Sequence, residues 1–373
     1  MGLGGLCLVP LWMGIYFHLL PLTGPLPPSL WHAHEMLFGL VTAAIAGFLL
    51  TSVPSSTGRK GFAGWPLMLL SALWLLARVL LPGPERGLAT AGAAIDLAFL
   101  PALIGLIAPP LIRENNRNTP LLAVVVFLWL CNLVFYAALA SGHPDLARRT
   151  LVLTIDAIMV LLTVIGGRLV PSFTRTALRP IGNTHVVRTI PRLGPAAITA
   201  MVVVLLGDLW LPGSRFAGTV AALAAAIQAV RLLQWASHHT LRQPMVWVLH
   251  VAYAWLPVGL TLKAISVLAG GLASQYWIHA VTVGAFTTMI MAVMTRWALS
   301  HTARPVVAHP LTAASYVLLV LAAISRVFGP TVLGLSFNLA IIGSAVFWTA
   351  AFALFMVVHV PILVRPRADG RPG

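Results

Sequence analysis

His34 and His279 occupy equivalent positions in two apolar stretches. The segment Trp31-His32-Ala33-His34-Glu35-Met36-Leu37-Phe38-Gly39 and its continuation align with the region around His279 for 26 residues without a gap. In that alignment His34 meets His279, Gly39 meets Gly284, Ser55 meets Ser300, Thr57 meets Thr302 and Arg59 meets Arg304. Two imidazoles at one depth on related helices have the chemistry of axial ligands on opposite faces of a flat cofactor, with haem the first candidate. Gly39 and Gly284 each follow their histidine by five residues, and a missing side chain there would let a porphyrin lie against the helix backbone. The plainer reading of either histidine is a buried ring bonded to a neighbouring carbonyl.

His32 is two residues from His34, about 200° around a helix, so the two cannot serve one iron. His32 is read as a ligand of a second metal, a partner of a haem propionate or a ring in water at the helix start. Glu35 sits in the first turn, where the helix dipole favours a carboxylate; it also suits the orientation of a metal-bound histidine. In Trp247-Val248-Leu249-His250-Val251-Ala252-Tyr253, His250 and Tyr253 share a face at i, i+3. That face is a candidate copper site with a phenol beside it, completed by His301 or His238. A satisfied core histidine is the alternative. Adjacent His238 and His239 read as a wet interface, and His143 and His185 as exposed loop residues.

The elements that must position these side chains are membrane helices. Of 373 residues, 59% are hydrophobic and 8% charged, with a mean hydropathy of +0.95. Soluble domains carry about 25% charge. Twelve apolar runs are long enough to span a bilayer as helices: about 3–22, 32–53, 64–82, 88–112, 119–140, 150–170, 196–212, 216–235, 244–268, 274–297, 311–329 and 333–361. The expected fold is all-α, a polytopic membrane protein forming a single transmembrane domain over 1–373.

The net charge of +15 is no sign of nucleic-acid binding, because its distribution follows the membrane. With the N-terminus in the cytoplasm, the inner segments hold Arg59, Lys60, Arg113, Arg117, Arg175, Arg179, Arg188, Arg192, Arg242, Arg304, Arg365, Arg367 and Arg371. The outer ones hold Arg86, Arg148, Arg149 and Arg215. The positive-inside rule then puts both termini in the cytoplasm, and the surplus charge would attract anionic lipid. Cys7 and Cys131 are too few and too far apart for a thiolate metal site. The first apolar run lacks a small-residue cleavage site and is read as a retained helix.

The exit Val53-Pro54-Ser55-Ser56-Thr57 is echoed by Val170-Pro171-Ser172-Phe173-Thr174 and by Ser300-His301-Thr302. An exit recurring every four helices divides the chain into pseudo-repeats of about 1–118, 119–243 and 244–373. Residues 171–195, with four arginines and four prolines, read as a solvated loop. Six charged residues are read as lying toward the bilayer centre and count as functional candidates. Of these, Arg78 and Asp96 suit an ion pair, Asp156 lies level with Gly39 and Gly284, Arg231 is left unassigned, and Lys263 and Arg326 are placed to snorkel.

At these residues the chain resembles the NnrS family of bacterial inner-membrane proteins. The resemblance is carried by Trp31–Gly39, Ala46-Gly47-Phe48-Leu49-Leu50-Thr51, Gly166-Gly167-Arg168-Leu169-Val170-Pro171-Ser172-Phe173-Thr174-Arg175 and Leu249-His250-Val251-Ala252-Tyr253-Ala254-Trp255. It continues through His279-Ala280-Val281-Thr282-Val283-Gly284-Ala285, Met294-Thr295-Arg296 and His301-Thr302. It implies a protein containing haem b and copper, tied to nitric oxide metabolism and nitrosative stress in denitrifying and related bacteria. Family members open on a Phe-Arg-Pro-Phe-Phe entry, whereas this chain begins Met1-Gly2-Leu3-Gly4; a truncated or late start is one reading of that difference.

The three-by-four arrangement also resembles the large subunits of haem-copper oxidases and nitric-oxide reductases, whose second and tenth helices bring histidines to a haem. Their copper histidines, on the sixth and seventh helices, have no counterpart in 150–170 or 196–212. The resulting expectation is an inner-membrane protein that binds nitric oxide, transfers electrons from a donor or reduces nitric oxide. Enzymatic activity is left open among these. The rival is a twelve-helix secondary transporter with structural histidines, which mid-membrane helix breaks and twofold inverted repeats would favour.

Overall fold

A backbone in lipid must satisfy its own hydrogen bonds, which leaves helices as the solution for apolar runs of this length. The computed structural model describes residues 1–370 except 23, 25, 84, 115, 117 and 180–186. His185, Arg117 and Arg371 therefore lie outside the described residues. The chain is 81% helix, with no strand among those residues. Among the described residues twelve helices follow one another, a short 3-10 turn at Ser237–Thr240 aside: α1 Gly2–Tyr16, α2 Pro28–Thr57, α3 Trp65–Leu80, α4 Arg86–Arg113, α5 Pro120–Ala140, α6 Pro144–Leu178, α7 Leu193–Trp210, α8 Arg215–Leu233, α9 Pro244–Leu268, α10 Ser274–His301, α11 Pro310–Thr331 and α12 Phe337–Val364. Ten are long and apolar enough to cross a membrane, and α1 and α3 are shorter apolar helices. The chain is a multi-pass, all-α membrane protein.

Two helices differ most from the sequence reading. The first run stops at Tyr16, where His18 takes a positive φ of 57° and ends the helix. The sixth continues through Pro171 to Leu178, so Val170–Thr174 is not an exit but a stretch of helix. Proline leaves the surrounding turns intact when neighbouring helices support them.

The helices group into two compact units, Pro10–Ile158 with Met1, and Met159–Gly373 with Gly2–Val9. In the first, α4 packs against α3, α5 and the Thr42–Thr57 part of α2. In the second, α9 packs on α8 and along α10, α7 lies on α8, and α11 pairs with α12. The indole of Trp348 on α12 donates to the Gly5 carbonyl (2.7 Å), which seats the start of α1 in this unit. Lys263 does not snorkel. It is buried, forms an ion pair with Asp208 of α7 and lies 4.5 Å over the Trp277 ring, because an internal carboxylate is a better partner than a distant headgroup.

The helices paired by sequence share a local irregularity. In α2 the backbone is α-helical to His34, π-helical over Glu35–Val41 and α-helical again from Thr42. In α10 it is α-helical to His279, π-helical over Ala280–Thr287 and α-helical from Thr288. Each wide turn starts on the residue after the aligned histidine. Such turns are rare and gather at functional sites. Threonines sit at their far ends: the Thr42 hydroxyl bonds the Phe38 carbonyl, and Thr287 donates to the Thr282 carbonyl at 2.9 Å. Thr42 and Thr287 are themselves a matched pair in the alignment.

Candidate functional site

The first unit holds a buried polar network around His34. Trp74 and Arg78, at i and i+4 on α3, face the π turn of α2. Trp74 Nε1 donates to the Gly39 carbonyl (2.8 Å) and Arg78 Nη1 to the Phe38 carbonyl (3.4 Å). Arg78 then bridges two carboxylates. Its Nε lies 2.7 Å from Glu35 Oε2, and its Nη2 pairs with Asp96 Oδ1 of α4. On α5, Asn132 Nδ2 donates to Asp96 Oδ2 at 2.7 Å and Tyr136 donates to the same oxygen at 3.3 Å.

The donation from Asn132 to Asp96 fixes the amide, so its Oδ1 is the atom turned to His34. His34 Nε2 donates to it at 3.0 Å, and Nδ1 lies 3.4 Å from Glu35 Oε1. The ring is fully buried and stacks on Phe135, with centroids 4.8 Å apart. The space left by Gly39 is taken by Arg78 and Glu35, whose atoms stand 3.3–3.5 Å from where a Cβ would be. The expected Arg78–Asp96 pair is present and gains Glu35 as a third member. His32 turns elsewhere and stacks on Trp12 at 4.5 Å, as the 200° offset requires.

The second unit gathers a different set. Thr163, Gly167, Val170 and Thr174 repeat at helical spacing and line one face of α6. Tyr253 of α9 lies against Gly166, its ring 3.1 Å from the position of a Cβ there. Its hydroxyl donates to Gln228 Oε1 (2.5 Å) and accepts from Arg231 Nη1 (3.0 Å). Gln228 Nε2 donates to Thr163 (3.0 Å).

Thr174 gives its proton to the Val170 carbonyl (2.7 Å), so its oxygen accepts from His250 Nε2 at 2.8 Å. His250 Nδ1 then accepts from Ser237 at 2.8 Å. Ser237 is aimed there by Ala236, which takes the left-handed conformation (φ 54°) that a residue with a Cβ seldom adopts. His238, His239 and His301 have exposed side chains.

His279 is arranged differently again. Its Nδ1 donates to the Gln275 carbonyl on its own helix at 2.7 Å. Gly284 receives Trp255, whose ring and Cβ atoms lie 2.4–2.9 Å from where a Cβ would be.

These bonds test the fit of a metal. A ligating imidazole gives one nitrogen to the metal and the other N–H to a carbonyl or carboxylate. His279 meets the second condition. His34 does not fit as it stands, since Nε2 carries the proton given to Asn132 and Nδ1 faces Glu35. His250 does not fit either, with both nitrogens bonded to hydroxyls. Among the described residues, no group of three or more His, Cys, Asp or Glu is placed to hold a metal ion.

His34, Glu35, His250, Tyr253 and the Gly166–Thr174 segment were legible in the sequence. Asn132, Tyr136, Gln228 and Ser237 were not, because none carries a local pattern, and Asp208, a charge within the run 196–212, was passed over. No curated protein matches the chain. A family model described as NnrS protein matches residues 1–367, nearly the full length. The chain therefore belongs to the NnrS family.

Proposed function

We propose that this chain is a bacterial inner-membrane protein of the nitric oxide response, binding haem b through His279. Family membership over residues 1–367 supports a role in the nitric oxide response. The observation that carries the cofactor reading is the matched histidine followed by a π turn on α2 and α10. Haem iron supplies a coordination position for nitric oxide. The part of this chain is to orient the His279 ring from the Gln275 carbonyl and to keep the surroundings apolar. His34 would ligate a metal only by giving up Asn132. Copper is the second metal the family implies; His250 would bind it only by exchanging Ser237 or Thr174 for the metal. Binding of nitric oxide, electron transfer from a donor and nitric oxide reduction are all open to such a site.

The test is the visible spectrum and metal content of the purified protein. A Soret band with iron is expected, five-coordinate and high-spin, because the ring nitrogens of His34 are engaged. His279→Ala should abolish it, while His32→Ala should leave it unchanged. A spectrum lost in His34→Ala but kept in His279→Ala would show that His34 leaves Asn132 to bind iron. Absence of both iron and a Soret band would end the haem reading and favour the transporter.

Both termini are placed in the cytoplasm, on the strength of the arginine distribution. A reporter fused after Arg367 should read as cytoplasmic. A periplasmic signal there would reverse the orientation of every helix.

A further inference from the structure

Arg231, in the last turn of α8, is a buried guanidinium that no carboxylate among the described residues pairs with. Only 8% of it is exposed. The chain has eight acidic residues, and among the described residues none lies within ion-pair distance of Arg231. Glu35 and Asp96 are held by Arg78, Asp208 by Lys263, Glu114 by Arg59 and Asp369 by Arg367. A lone charge in a membrane helix is costly and is retained where something pairs with it.

The geometry shows where the missing partner would sit. Nη1 is fully used, donating to the Thr163 carbonyl at 2.9 Å and the Tyr253 hydroxyl at 3.0 Å. Tyr253 is itself pinned by Gln228. The guanidinium carbon lies 5.6 Å from the centre of the Trp235 ring. These contacts fix the plane of the group. Its other edge, formed by Nε and Nη2, makes no hydrogen bond among the described residues. That edge is the fork that grips two oxygens of one anion in parallel.

Gly167 makes the position possible: a Cβ there would stand 1.8 Å from Nη2. The Gly166-Gly167 pair of α6 is thus the seat of Tyr253 and Arg231, a role no reading of the histidines uses.

We propose that Arg231 is the anchor of an anion-binding site in the second unit, gripping a ligand that presents two oxygens to its Nε–Nη2 edge. A free carboxylate or nitrite ion has that chemistry, and so does the phosphate diester of an anionic lipid. The site is independent of iron at His279 and stands whether or not haem is bound.

The test uses the full-length protein in two settings. In detergent, its melting temperature is followed against sodium formate and sodium nitrite, with chloride at equal ionic strength as control. In nanodiscs, phosphatidylglycerol is compared with phosphatidylcholine. A ligand that binds only the folded state raises the melting temperature as its concentration exceeds the apparent Kd.

Stabilisation by formate or nitrite identifies a free anion, and stabilisation by phosphatidylglycerol alone identifies the lipid. In either case Arg231→Lys, which keeps the charge and loses the fork, should weaken the apparent Kd by about ten-fold or more, and Arg231→Gln should abolish the effect. If neither variant folds, Tyr253→Phe decides, because it frees Nη1 without removing the charge; a weakened apparent Kd supports the site and an unchanged one overturns it. No stabilisation of the wild type by any of the three anions, or wild-type affinity in Arg231→Gln, also overturns it.

Discussion

Replacing Arg78 by leucine is expected to remove most of the folded protein from the membrane. Arg78 is the one guanidinium of the first-unit network, and it holds Glu35 at 2.7 Å and Asp96 by a direct ion pair. Its loss leaves two buried carboxylates facing each other's field, while Phe38 and its π turn lose a donor. Removing one partner of a buried pair costs roughly 3–5 kcal/mol. That is a large fraction of the roughly 5–15 kcal/mol by which most domains are stable. Fluorescence-detected size exclusion of a tagged protein should show the monodisperse peak falling several-fold. Arg78→Lys, which keeps the charge but cannot span both carboxylates, should be intermediate. Adding Glu35→Gln and Asp96→Asn to Arg78→Leu should recover part of the loss, since the unpaired charges go with their partner. A single Arg78→Leu variant as abundant and heat-stable as the wild type would show that the three charges contribute little.

Gly284→Ala should destabilise the second unit through one methyl group. The added carbon would stand 2.4 Å from Trp255 Cγ and Cδ2. These atoms lie near the backbone, and the indole is stacked on Phe328 at 5.7 Å, so the ring has little room to retreat. Overpacking of this kind costs about 1–3 kcal/mol. Thermal denaturation read from tryptophan fluorescence should report it. Gly105→Ala on α4 serves as the control, because nothing lies within 4 Å of a Cβ there; helix propensity alone would make it neutral or stabilising by up to about 1 kcal/mol. Trp255→Ala should absorb part of the Gly284→Ala penalty in the double variant, as contacting residues are not additive. If Gly284→Ala and Gly105→Ala behave alike, the indole is not held against the π turn.

The sequence by itself determined the twelve helices, because hydropathy is a local property and lipid leaves an apolar run no other way to satisfy its backbone. It also determined the kinship of α2 and α10, through identities at His, Gly, Ser, Thr and Arg. It located the charges at Arg78, Asp96, Arg231 and Lys263, which are conspicuous in so apolar a chain. The tertiary structure alone decided what those groups touch. His34 meets Asn132 across 98 positions and His250 meets Thr174 across 76, and no period in the chain encodes a partner at such separation. The same holds for the glycines: a missing side chain reads as free space, yet packing gives that space to Arg78 at Gly39 and to Trp255 at Gly284. The π turns were hidden for another reason. An α turn and a π turn bury the same residues in the same solvent and differ in which carbonyl each amide reaches. That choice rests on neighbours such as Trp74 and Arg78, which take the displaced carbonyls once the helices have packed.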